Sequence, residues 1–239
     1  MLTRTTFSAR HLNPSHHAMF AADITAFGCR NPRLGLYARS ALYDIIRQAC
    51  DAAGICWDRC YHEDRGDGLV ALASPGDSIE KLADPFVMNV RNGLHEHNKI
   101  LAGDTQIRLR MAIHAGYVYA DAHGISGPDL IHLFRLLDAP GLKRRFAQHP
   151  GDFALIASDH LYREIISYSP GQLRPGDFQP TSADIKETHS QAWIWLPADP
   201  AAAQHDRPAA HLSQVRPQRG AAHSRHPELP VPSRCRQPR

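Results

Sequence analysis

A chain of 239 residues with 43% hydrophobic content can bury one sizeable core, and a single domain is the expectation. No run reaches the roughly 18 apolar residues that a membrane helix needs, and MLTRTTFSARHLNPSHHAMF holds no apolar stretch of signal-peptide length. A cytoplasmic protein without a membrane partner is therefore expected. The net charge of +3 resides in residues 200–239, where seven arginines against Asp206 and Glu228 put +5 and leave −2 for the rest. That segment, with seven prolines and no aromatic residue, lacks the apolar surface to offset its ordering entropy. It reads as a disordered basic tail, a solvated end rather than a nucleic-acid contact. Five cysteines without paired spacing, Cys29, Cys50, Cys56, Cys60 and Cys235, are expected as reduced thiols.

In chain order, residues 1–16 form an N-terminal arm and residues 17–199 the folded domain. HAMFAAD, from His17 to Asp23, reads as a buried central strand that ends in the polar turn TAFGCRNPR. From Leu34 to Ala53, apolar residues at Ala38, Leu42, Ile45, Ile46 and Ala49 make one helical stripe, with Gly54 as its stop. ICWDRCYHE and DGLVALAS read as two strands of a hairpin joined through DRG. A helix follows from Pro75 to Asn98, and Ile107, Leu109, Met111 and Ile113 mark an alternating strand. DLIHLFRLLDA is helical, FALIAS a strand, HLYREII a short helix and QAWIWLP a final strand. A hairpin flanked by two crossover helices implies an α/β (α+β) sandwich of the ferredoxin-like, split βαβ kind, its antiparallel sheet covered by helices.

The stretch HEDRGDGLVAL concentrates charge in front of an apolar strand. An adhesion role for Arg65, Gly66 and Asp67 requires an exported protein, which this composition does not suggest. Cys56, Cys60 and His62 fall on one strand face, but ligands spaced along a straight strand sit too far apart for zinc. Two readings remain open. The charges are a solvated turn, with Gly66 supplying the positive φ, or Asp67 meets Asp23 across the sheet. Two carboxylates there would hold a hard divalent ion and leave coordination sites for phosphate oxygens. The turn that contains Phe27 and Gly28 would offer N–H groups to the same phosphates.

MFAADITAFG, EDRGDGLVAL, IRLRMAIHAGYVY and HLFRLLDA, in that order, resemble the motifs of the class III nucleotidyl cyclase catalytic domain. The resemblance covers residues 17–196, and the chain is also similar to bacterial pyrimidine nucleotide cyclases of anti-phage defence. It implies conversion of a nucleoside triphosphate to a 3′,5′-cyclic nucleotide with two Mg²⁺ or Mn²⁺ ions, on a homodimer that shares its sites. Asp23 and Asp67 match the metal aspartates, and Ile24 a carbonyl ligand. Glu63 matches the base-contacting position, Arg135 the arginine that stabilises the transferring phosphoryl group, and Lys186 a late phosphate-binding lysine. Ile131 stands where the family carries an asparagine that orients the ribose, with His132 beside it. The segment ADAHGISGPDL is shorter than the family's. A catalytically silent nucleotide-binding or dimerisation module is the alternative these departures suggest.

Overall fold

The central strand β1 (Ser15–Ile24) is apolar on both sides: Ala18, Phe20, Ala22 and Ile24 enter one core and Met19 and Ala21 the other. Strands covered on both faces read as continuous apolar runs, which is why HAMFAAD shows no alternation. In the computed structural model, residues 14–198 are described apart from 170, 186 and 187. The expected tail and most of the expected arm lie outside the described residues, although Ser15 and His16 belong to β1.

The remaining strands are β2 (Tyr61–Asp64), β3 (Gly68–Leu72), β4 (Leu109–Asp121), β5 (Gly124–Ser126), β6 (Phe153–Ser158), β7 (Phe178–Ile185) and β8 (Thr188–Trp195). They form one sheet in the order β2-β3-β1-β4-β6-β8-β7, with β5 beside β4. All pairs are antiparallel except β4 with β6. The order β2-β3-β1-β4 is the expected split βαβ unit.

On one face lie α1 (Pro32–Ala52), a one-turn α2 (Ile79–Lys81) and α3 (Val87–Lys99). Asn31 caps α1 by accepting the Arg33 N–H at 2.9 Å, and Pro32 opens it. Gly54, at φ +68°, follows its end. The helix expected from Pro75 starts only after the Ser78 cap, and a π-helical segment, Leu82–Phe86, separates α2 from α3. Pro85 lies inside that segment and cannot donate a helical hydrogen bond. Phe86 closes the layer, its ring centroid 4.6 Å from that of Phe20.

Two more helices, α4 (Pro128–Leu137) and α5 (Pro140–Gln148), cover the opposite face, and α6 (Asp159–Glu164) follows β6. Leu130, Leu133, Leu136, Leu142 and Phe146 pack there with Met19, Ala21, Val70 and Ile156. Helices thus lie on both sides of the sheet. The strand expected over ICWDRCYHE is shorter: Trp57–Arg59 is a 3-10 turn and the strand starts at Tyr61. Burial of Ile55, Trp57 and Cys60 draws that segment into the core. The shared face assumed for Cys56, Cys60 and His62 is lost, because Cys56 is exposed while Cys60 is buried. The final strand is longer than QAWIWLP and forms a hairpin with β7, which the sequence reading did not anticipate.

Candidate active site

Asp23 occupies the last rungs of β1, opposite Gly68 of β3 and Arg110 of β4. A Cβ on Gly68 would lie 1.9 Å from the Ala22 carbonyl oxygen, so only glycine lets β3 approach β1 here. The β2–β3 turn closes through Arg65 N–H to the Gly68 carbonyl at 2.8 Å, with Gly66 at φ +90°. The Ile24 N–H then donates to the Asp67 carbonyl at 2.9 Å. These contacts bring the expected metal residues Asp23, Ile24 and Asp67 to one end of the sheet.

Arg110 donates to both oxygens of Asp23, Nε to Oδ1 at 2.9 Å and Nη2 to Oδ2 at 2.6 Å. Burial nevertheless raises the Asp23 pKa above its ordinary value. Arg110 opposes that rise, while the charges of Asp67 and Asp138 add to it. Asp23 thus feels two further carboxylates besides its Arg110 partner, and Asp138 has its own cation in Lys143, at 2.8 Å. Among the described residues no cluster of three or more His, Cys, Asp or Glu side chains is arranged to hold a metal. The two carboxylates at this end of the sheet, Asp23 and Asp67, are of a number and kind that would suit a hard divalent cation completing its shell with phosphate oxygens.

Phe27 and Gly28 form a 3-10 turn between β1 and α1, entered through Ala26 in the left-handed region at φ 56°. The Phe27 ring packs on Gly35 of α1, where an added Cβ would come within 3.3 Å, and Gly28 faces open space. Glu63, on β2, accepts from the Tyr61 hydroxyl and pairs with Arg65 at 3.3 Å. Arg65 in turn lies 4.6 Å over the Phe134 ring of α4. The turn between β4 and β5 passes close by, since a Cβ on Gly124 would sit 3.2 Å from Glu63 Oε1.

Arg135 is half-buried in the last turn of α4, near enough to His132 for its charge to lower that pKa, though burial is the larger cause. Ile131, one turn earlier, is 50% exposed. His132 faces His114 of β4 with ring centroids 4.9 Å apart. Asp129 anchors the first turn of α4 by accepting the Tyr117 N–H at 2.6 Å. Gly116 makes room for it, since a Cβ there would lie 2.3 Å from Asp129 Oδ2. Lys186 lies outside the described residues.

The architecture is similar to an adenylate/guanylate cyclase/hydrolase from Silicibacter pomeroyi, with TM-score 0.54 and 17% identity over 77% of this chain and 98% of that one. A bacterial light-regulated adenylyl cyclase gives TM-score 0.52 at 13% identity over 76% and 90%. The catalytic core of a rhodopsin-guanylyl cyclase with converted specificity gives 0.50 at 16% over 76% and 95%. No family model matches the chain, and no curated protein does. The chain has the class III cyclase fold.

Within this cyclase fold, Arg110 contacts Asp23, and Tyr61 and Arg65 contact Glu63, partnerships that the sequence did not reveal. Arg110 carried a signal: it is a charge near the start of β4 whose neighbours Leu109, Met111 and Ala112 are all buried. Its partner could not be named without the β1–β4 register. Tyr61 and Arg65 alternate with Glu63 along one hairpin, but nothing in their spacing tells a solvated turn from a set of mutual contacts. Among the described residues, no helix is long and apolar enough to cross a membrane.

Proposed function

We propose that this chain is a nucleotidyl cyclase that converts a nucleoside triphosphate to a 3′,5′-cyclic nucleotide and pyrophosphate. The observation that carries the reading is the convergence of Asp23 and Asp67. Asp23 near the end of β1 and Asp67 in the β2–β3 turn are far apart in sequence, are joined through the Ile24 N–H bond to the Asp67 carbonyl, and interact as charges. Their carboxylates and the Ile24 carbonyl would hold two Mg²⁺ or Mn²⁺ ions. Bound there, such ions lower the pKa of the ribose 3′-hydroxyl and neutralise the leaving pyrophosphate.

Arg110 places a bidentate donor at the same end of the sheet, a geometry suited to phosphate oxygens once Asp23 turns to a cation. The turn at Phe27 and Gly28, between β1 and α1, would offer N–H groups to the same phosphates. Glu63, oriented by Tyr61 and Arg65, meets the base. Arg135 stabilises charge on the transferring phosphoryl group from the partner of a cytoplasmic homodimer. Exposed Tyr117, Tyr119 and Ile131 supply apolar surface for that pairing. The product would be a second messenger, of the anti-phage kind if the base is a pyrimidine.

Incubation with each of the four triphosphates and Mn²⁺ tests the reading, with Asp67→Ala as control. Cyclic product from at least one triphosphate, lost in the variant, is expected. No product, or equal product from the variant, removes it. A silent nucleotide-binding module is the second reading, favoured by Ile131 and by Arg110 engaging both oxygens of Asp23. Turnover abolished by Arg135→Ala disposes of it.

A further inference from the structure

Arg39 of α1 grips the hairpin that carries Asp67. Its Nη1 donates at 2.7 Å to the Gly66 carbonyl, the peptide group whose nitrogen belongs to Asp67. Its Nη2 pairs with Asp64 Oδ2, where the Tyr43 hydroxyl also donates at 2.9 Å. Asp64 Oδ1 accepts the Gly66 N–H at 2.7 Å. One guanidinium therefore fixes both sides of the turn, and a planar fork with two acceptors sets orientation as well as distance.

The hairpin needs such a brace. β2 has four residues and lies at the sheet edge, with β3 as its only neighbour in the strand order. Asp23 and Asp67 repel as like charges, and from the β1 side the Ile24 N–H holds the Asp67 backbone carbonyl. α1 is the rigid body available on the other side, a 21-residue helix seated on the core by Ala38, Leu42, Ile45 and Ile46. It begins directly after the turn that follows Asp23, so one helix spans from the first carboxylate to the second.

We propose that Arg39 is the positioning residue for Asp67, setting its reach toward Asp23 and so the affinity of the pair for a divalent cation. This rests on the metal reading of Asp23 and Asp67, and the test separates the two. Mn²⁺ alone is titrated into the full chain without nucleotide, with free Mn²⁺ followed by electron paramagnetic resonance. Arg39→Ala should weaken binding by about 10- to 100-fold, the usual cost of losing a group that orients a ligand. Arg39→Lys should recover only part of it, because one ammonium cannot serve both acceptors in the same geometry. Tyr43→Phe, which leaves Arg39 in place, should lose less than Arg39→Ala. Wild-type Mn²⁺ affinity in Arg39→Ala, with binding abolished by Asp67→Ala, overturns the proposal and spares the metal reading. Binding that survives Asp67→Ala removes both. If Arg39→Ala does not fold, Arg39→Lys decides: Mn²⁺ affinity equal to wild type overturns the proposal.

Discussion

Replacing His114 with asparagine should flatten the acid side of the stability curve. His114 lies in β4 under α4, its Nδ1 2.8 Å from Ser158 Oγ and its Nε2 3.6 Å from Asp129 Oδ1. Nε2 is buried without a hydrogen-bond partner. Burial, with the neighbouring His132 and His160, pushes the pKa from 6.5 down to about 4, against the opposing charge of Asp129. The folded state therefore binds fewer protons than the unfolded chain. The stability contributed by neutral His114 is fully present above the unfolded value of 6.5 and is lost as pH falls through about 4. That interval corresponds to about 3 kcal/mol, a large share of the roughly 5–15 kcal/mol that holds a domain together. Urea unfolding at intervals between pH 7 and pH 4 should show wild type losing about that much more than His114→Asn. The difference includes the interactions of His114 with His132, His160 and Asp129, which the substitution also removes. Equal losses in the two proteins would refute the burial argument.

Gly68→Ala would drive a Cβ into the Ala22 carbonyl; a loss of about 1–3 kcal/mol in urea unfolding is expected, together with weakened Mn²⁺ binding. Unchanged stability would show that β3 can shift without cost. A double-mutant cycle of Asp23→Asn and Arg110→Gln should reveal a coupling of about 0.5–3 kcal/mol, whereas simple additivity would mean the ion pair contributes nothing. Because burial raises the Asp23 pKa, Mn²⁺ must compete with a proton there, and its apparent affinity should fall as pH drops through that raised value. Calorimetry in two buffers of different ionisation heat should detect the released proton, and Asp23→Asn should abolish the release.

Much of the split βαβ unit was legible because its elements announce themselves locally. The stripe through Ala38, Leu42 and Ile46 and the alternation from Ile107 to Ile113 each reflect one face buried in one core. Residues 55–60 misled because the same alternation of apolar and polar types also suits a 3-10 turn whose tryptophan is buried. α5 and β7 were missed since PGLKRRFAQ is short and its apolar spacing is interrupted by the basic run Lys143, Arg144 and Arg145, and FQPTSADI contains a proline. The meeting of Asp23 with Asp67 was anticipated from strand adjacency. Its closeness depends on Gly68, whose role appears only when β1 lies against it. The Arg39 brace had no signature at all, since an arginine on the polar side of an amphipathic helix is ordinary.

The Asp23–Arg110 pair also bears on how the chain reaches its native state. Many small metalloproteins cannot fold until the ion arrives, because the free energy of binding it is a large part of their folding free energy. Here a resident guanidinium already faces the half-buried carboxylate, so the chain is expected to fold without the divalent ion. A chelator should then silence the protein without unfolding it, and returning the ion should restore it at once.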